Sequence, residues 1–263
     1  MSRTSSQSFQ FGFSGAGITF AVRALILTCA AIFVSQLFLD IPIGDKGFTN
    51  VPGGARIVDT LAYSNAHLLQ GWVWTPLTYI FLHGGLMHLF FNLLQLYFFG
   101  PEVERLLGTR QFLRFFFICG VGGALANLLP YALGYPGLPI VGASGAILGV
   151  IVAFAFIDPD RQIFMLPLPF PITARAMIIL LVLVNLLSTG GQVSVATHFG
   201  GMIAGFGYMK LRPLALRWAW ERRGRRARKA NMKEPVKDPA TPEEKKLADA
   251  IDNIFRFQDK EKH

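Results

Sequence analysis

Six apolar stretches, at residues 24–39, 83–99, 112–129, 142–157, 173–187 and 193–209, each approach the roughly 20 residues that a helix needs to cross a bilayer. Pro42, Gly100-Pro101-Glu102, Pro130, Asp158-Pro159-Asp160 and Gly190-Gly191 close the first five. Backbone inside hydrocarbon must pair with itself, so stretches of this length predict helices rather than isolated strands. The composition agrees, with 52% hydrophobic and only 16% charged residues. The first stretch ends in Asp40-Ile-Pro-Ile without a small-x-small cleavage pattern, so a retained span is expected there rather than a signal peptide. The fold class that follows is an all-α membrane protein with six transmembrane helices. It is divided into a segment 1–23, a six-span domain 24–209 with a long first loop 40–82, and a basic tail 210–263.

A net charge of +9 invites a nucleic-acid reading, and its distribution removes it. Residues 210–263 carry 16 basic and 9 acidic side chains, so almost all of the surplus sits in the tail. Lys and Arg also gather in the segments between spans two and three and between spans four and five, while the last two outer loops hold none. The positive-inside rule then predicts that both termini are cytoplasmic. The run 222–229, preceded by Trp218 and Trp220, serves as a topology signal and would also attract anionic lipid head groups. Beyond it, Thr241-Pro242-Glu243-Glu244 has the form of a helix N-terminus, and Leu247, Ile251, Ile254 and Phe255 recur at helical spacing, predicting a short amphipathic helix. The loop 40–82, with Trp72, Trp74, Tyr79 and Phe81, is too apolar for a solvated linker and is expected to be partly embedded at the outer interface. Cys29 and Cys119 lie in apolar runs without metal-ligand spacing and are expected to be packing residues.

Polar groups inside spans are costly, and three places carry them. His83, His88 and Asn92 open the second stretch, Ser144 begins the fourth within Gly142-Ala-Ser144-Gly145, and His198 lies in the sixth. With both termini inside, these three stretches descend from the outer face. Ser144 lies five residues after Pro139, where the apolar character of that region begins, and His198 five after Val193, so both sit about 8 Å below the boundary. Gly145 and Gly149 in the fourth, with Gly201 and Gly205 in the sixth, form small-xxx-small ridges that let backbones approach. A serine beside a neutral imidazole is the minimal activated nucleophile. His88, Asn92 and the Ser144 N–H at a helix start would supply donors to an acyl-transfer oxyanion. With no Asp or Glu buried in the spans, a dyad is the expected arrangement.

These motifs resemble the rhomboid family of intramembrane serine proteases. His83-x4-His88-x3-Asn92, Gly100-Pro-Glu-Val-Glu104-Arg-Leu-Leu-Gly108, Gly142-Ala-Ser144-Gly145 and His198-x2-Gly201-x3-Gly205 match its ordered motifs over nearly the whole six-span region. The resemblance implies a six-helix bundle with a membrane-embedded first loop. It also implies Ser144 as nucleophile, His198 as general base, His88 and Asn92 with the Ser144 N–H as oxyanion hole, His83 in support and Glu104 stabilising the turn after span two. By the same resemblance the chain needs no cofactor and no metal. It cleaves single-span or multi-span membrane protein substrates near the outer face, with access near spans two and five. A bacterial plasma membrane is the expected location, with membrane lipids as further partners. Three positions depart from the family pattern. Leu148 stands where an aromatic residue stacks on the histidine, leaving packing to hold the base. Thr75 follows Trp74 where arginine is frequent, removing that anchor of the first loop. Thr197 replaces the usual alanine and brings a hydroxyl able to bond locally. Two other readings compete: an inactive rhomboid-like protein that binds membrane clients, and an ion or solute pathway lined by His83, His88 and His198. The spans lack acidic residues to relay a cation, and no His-Glu-x-x-His is present for a metal hydrolase.

Overall fold

The computed structural model of the chain describes residues 17–39, 56–135, 139–164, 170–187 and 195–230, together with 242, 245 and 246. The expected amphipathic helix around residues 241–255 lies almost entirely outside the described residues. The fold is mostly helical: α1 (Phe20–Leu39), α2 (Arg56–Leu61), α3 (Asn65–Leu69), α4 (Thr75–Thr78), a 3-10 turn Tyr79–Phe81, α5 (Leu86–Leu107), α6 (Thr109–Ala126), α7 (Leu128–Ala132), α8 (Ser144–Ile157), α9 (Ala174–Leu187) and α10 (Val195–Ala230). A two-residue antiparallel pair, β1 (Gln162–Ile163) and β2 (Ile172–Thr173), links α8 to α9.

Helix α8 is the axis of the bundle. Every residue from Gly145 to Ala155 is buried, and the helix packs against α5, α6, α9 and α10. Apolar side chains on the outer helices point away from this axis, among them Leu27 and Phe38 on α1 and Leu183 and Leu187 on α9. A molecule apolar both at its axis and on its outer face has the distribution that lipid, not water, favours.

Among the described residues, two helices are long and apolar enough to cross a bilayer, Phe20–Phe38 and Thr109–Ala132. A third crossing arises if Thr75–Phe81 and Leu86–Leu107, bent by 96°, are taken together. Helices α8 and α9 have 14 residues each. At 1.5 Å per residue, 14 residues reach about 21 Å, well short of a hydrocarbon core of roughly 30 Å. The start of α8 is therefore recessed if its far end lies at a boundary.

Several helix limits differ from the sequence expectation. α1 begins at Phe20, ahead of residue 24. α5 does not end before Gly100-Pro101 but continues to Leu107, and the turn falls at Gly108. Proline fixes a φ compatible with a helix and forfeits one hydrogen bond. Here that loss is outweighed by packing against α1, since a Cβ at Gly100 would stand 2.7 Å from Val22 Cγ2. Pro130 likewise falls inside α7. The sixth stretch is the first part of a 36-residue helix that runs on through the basic segment to Ala230.

Glu104 fastens one end of the bundle. Its carboxylate, buried near the C-terminus of α5, accepts from Thr19 Oγ1 at 2.5 Å, from the Ala21 and Val22 N–H groups at 3.0 Å and from Thr109 Oγ1 at 2.7 Å. It thus caps the N-terminus of α1 as well as holding the turn into α6. At the other end, the loop before α5 grips the segment before α8. Tyr63 and Ile140 exchange both backbone hydrogen bonds, and Gly142 N–H donates to Tyr79 O at 2.9 Å. This part of the first loop is anchored without an arginine at position 75. Thr75 is buried and donates to Trp72 O at 2.8 Å, Trp74 Nε1 donates to Thr60 O at 3.0 Å, and Thr78 Oγ1 donates to Leu61 O at 2.7 Å.

Candidate active site

Ser144 is the first residue of α8, and the chain reaches it through Gly142 at φ +116°. That conformation favours glycine, and space demands it as well: a Cβ there would lie 2.6 Å from His88 Cε1 and 2.7 Å from His88 Nε2. The glycine lets the backbone pass against the imidazole and turn into the helix. As the leading residue of α8, Ser144 carries an N–H with no intrahelical acceptor, and Ala143 brings no side-chain cap.

His198 reaches Ser144 from α10, with Nε2 2.8 Å from Ser144 Oγ. Glycine packing sets this distance. A Cβ on Gly201 would fall onto the Gly145 carbonyl, one on Gly205 would stand 2.7 Å from Gly149 O, and one on Gly149 would stand 2.9 Å from Gly201 O. The two helices touch backbone to backbone, and α10 is fixed in register one turn from the histidine. Both Ser144 and His198 stay partly accessible.

Asn92 is buried on α5, and among the described residues its Nδ2 has no acceptor within hydrogen-bond reach. It lies 3.6 Å from where a Gly142 Cβ would stand, beside the backbone that leads into Ser144. His88, four residues earlier and on the same face, accepts a long bond of 3.4 Å from Gly84 N–H at Nδ1. That contact leaves the proton on Nε2, the nitrogen facing Gly142. His83 is fully buried and set apart from the serine by its bonding. Its backbone N–H donates to Gln36 Oε1 at 3.1 Å and its carbonyl accepts from Gln36 Nε2 at 3.3 Å, tying α5's approach to α1. The His83 ring donates from Nδ1 to Phe81 O at 3.2 Å and meets His88 edge-on at 5.3 Å.

The structure also brings in residues that the sequence reading passed over. Asn185, buried on α9, places Oδ1 against His198 Nδ1 within hydrogen-bond distance. The signal available in the sequence was one amide in a run that is otherwise apolar from residue 176 to 187, the same signal that marked Asn92. Thr197 bonds across helices, accepting from Asn127 Nδ2 at 2.7 Å. Asn127 O in turn accepts from Asn65 Nδ2 at 3.1 Å, and Asn65 Oδ1 accepts from Tyr63 O–H at 2.7 Å. A buried polar chain thus runs from the first loop to the residue before His198.

Residues 70–212 match the model of the rhomboid family, described as Rhomboid domain. The chain is 34% identical over 182 residues to the rhomboid protease GluP of Bacillus subtilis, covering 65% of this chain and 33% of that protein. It is 29% identical over 199 residues to RHOMBOID-like protein 5 of Arabidopsis thaliana, covering 72% of this chain and 62% of that one. With the rhomboid protease AarA of Providencia stuartii it shares 29% identity over 201 residues, 69% of this chain and 68% of AarA. The chain thus spans a third of the length of the first relative and under two thirds of the second. A family match over more than half of the chain, apolar helices of membrane length and relatives named as proteases lead to one conclusion: the chain belongs to the rhomboid family of membrane proteins, whose activity at family level is intramembrane proteolysis.

Proposed function

We propose that the chain is a serine-type intramembrane endopeptidase that cleaves membrane-spanning protein substrates near the outer membrane face. The observation that carries this reading is the 2.8 Å contact between Ser144 Oγ and His198 Nε2 at the start of α8. In this reading residues 24–209 are a six-span catalytic domain with an embedded first loop. Residues 1–23 and 210–263 are cytoplasmic, and the basic run 222–229 meets anionic lipid head groups. The membrane is a bacterial plasma membrane.

The chemistry follows from the donors and acceptors present. Ser144 Oγ attacks the scissile carbonyl carbon while its proton passes to His198 Nε2. The carbonyl oxygen, now an anion, is held by Asn92 Nδ2, by the Nε2 proton of His88 and by the Ser144 N–H. The C–N bond then breaks, and the proton on Nε2 goes to the leaving amine. Water attacks the remaining ester and gives a proton to Nε2. Ser144 Oγ leaves as the acid product forms, and takes that proton back. Asn92 Nδ2, a buried donor without an acceptor among the described residues, gains a partner as the oxyanion forms, which is where binding accelerates a reaction rather than merely retaining substrate.

The reading of an inactive client-binding relative is disfavoured, since a chain that only binds has no use for a serine and histidine in hydrogen-bond contact. Cleavage of a single-span reporter by purified protein in proteoliposomes is the test. Wild type is expected to cut it and Ser144→Ala to leave it whole; equal cleavage by both sinks the proposal.

A further inference from the structure

We propose that Asn185 is a positioning residue for the general base, so that the site works as a Ser144–His198–Asn185 relay spread over α8, α10 and α9. The proposal rests on the proteolytic reading above. Its first support is orientation. Asn185 Nδ2 donates to Leu181 O at 2.8 Å, one turn back on α9, so Oδ1 is the amide atom that faces His198 Nδ1. The reversed amide would set two carbonyl oxygens against each other at Leu181 and is disfavoured.

An acceptor at Nδ1 dictates the tautomer. Nδ1 carries the proton, and Nε2 keeps its lone pair toward Ser144 Oγ, the only form in which His198 can take the serine proton. With water or nothing at Nδ1, both tautomers are populated and the ring turns more freely about its side-chain bonds. The second support is the environment. Asn185 is buried, whereas its neighbours Leu183, Val184, Leu186 and Leu187 are exposed on the apolar outer face. An amide turned inward from such a helix needs partners, and both of its bonds are accounted for by Leu181 and His198. The third is Leu148, buried one turn after Ser144: an aliphatic side chain there offers no ring to stack on the imidazole, so the amide supplies orientation that packing does not.

Because Asn185 acts through His198, its loss should lower turnover without weakening substrate binding. In proteoliposomes containing the full chain and the single-span reporter, Asn185→Leu is expected to reduce kcat about tenfold, with KM within about twofold and an unchanged or raised thermal midpoint. Asn185→Asp places a carboxylate at Nδ1, which favours the imidazolium; His88 is the other titratable group facing His198. The acid limb of kcat against pH is then expected to move to higher pH by about one unit. A purely structural amide would shift the thermal midpoint and leave kcat of folded Asn185→Leu at the wild-type value. Wild-type kcat in Asn185→Leu together with an unmoved limb in Asn185→Asp, beside an inactive Ser144→Ala, would overturn the positioning role alone. Equal cleavage by Ser144→Ala would overturn the proteolytic reading and this role with it. If Asn185→Leu does not fold, the limb of Asn185→Asp decides.

Discussion

Two buried polar centres on α5 lie 12 residues apart, about 18 Å along the helix axis, and they are built on opposite principles. Glu104 collects four donors from two segments, the start of α1 and the start of α6. Asn92 is as buried but keeps a donor without an acceptor among the described residues, next to a serine and a histidine that remain partly accessible. Both are equally conspicuous as polar residues in an apolar chain. What separates a staple from the proposed site is satisfaction: the staple spends its hydrogen bonds on the fold, whereas in the proposal the site holds one back for a group that arrives later. Unsatisfied buried donors are uncommon enough in folded proteins to call for such an explanation.

Substitutions at the two centres should therefore separate activity from stability. Asn92→Leu, close in shape and without the amide, is expected to lower kcat by about a hundredfold with little change in KM, as loss of an oxyanion donor does. Its thermal midpoint should hold or rise, because an unpaired polar group leaves the interior. A fall in midpoint with unchanged kcat would make Asn92 a second staple. Glu104→Ala should do the reverse, costing about 2 kcal/mol of stability by freeing the N-terminus of α1 and Thr109, while folded protein assayed well below its midpoint keeps kcat. Thr197→Ala marks the small end of the scale. Asn127 Nδ2 retains the Gly123 and Ala124 carbonyls, so a loss within about 1 kcal/mol and an unaltered kcat are expected from unfolding and turnover measurements. A large loss of kcat there would mean that the polar chain from Tyr63 also orients His198.

The residues of the candidate site were legible in the sequence because lipid makes polarity expensive, so Ser144, His198, His88 and Asn92 stood out from their surroundings. The glycine ridges were legible for a related reason: Gly201 and Gly205 occur at a helical spacing that only close packing explains. Asn185 was not legible beside them, because a lone amide in a span carries no local pattern that ties it to a histidine on another helix, although a neutral amide can orient a histidine as a carboxylate can, with less charge stabilisation. Helix ends were read less well. The apolar pattern reports where lipid contact stops, whereas the helix follows propensity and packing. α10 therefore carries on through a run of Arg, Ala, Lys and Trp after its hydrophobicity ends, and α5 passes Gly100-Pro101 because Val22 packs there. The bonds that grip Gly142, from Tyr79 and through Ile140 from Tyr63, join positions far apart in the chain and leave no local pattern.

The central claim is that His198 activates Ser144, and the most direct measurement is labelling of folded, purified protein by a fluorophosphonate, followed by intact mass and peptide mapping. Attack by Ser144 Oγ on phosphorus expels fluoride and leaves one phosphonate on the chain, with the serine proton taken up by His198 Nε2. The account predicts a single adduct at Ser144 in the wild type and labelling at least about a thousandfold slower in His198→Ala. An adduct on another residue, or wild-type labelling in His198→Ala, would contradict it.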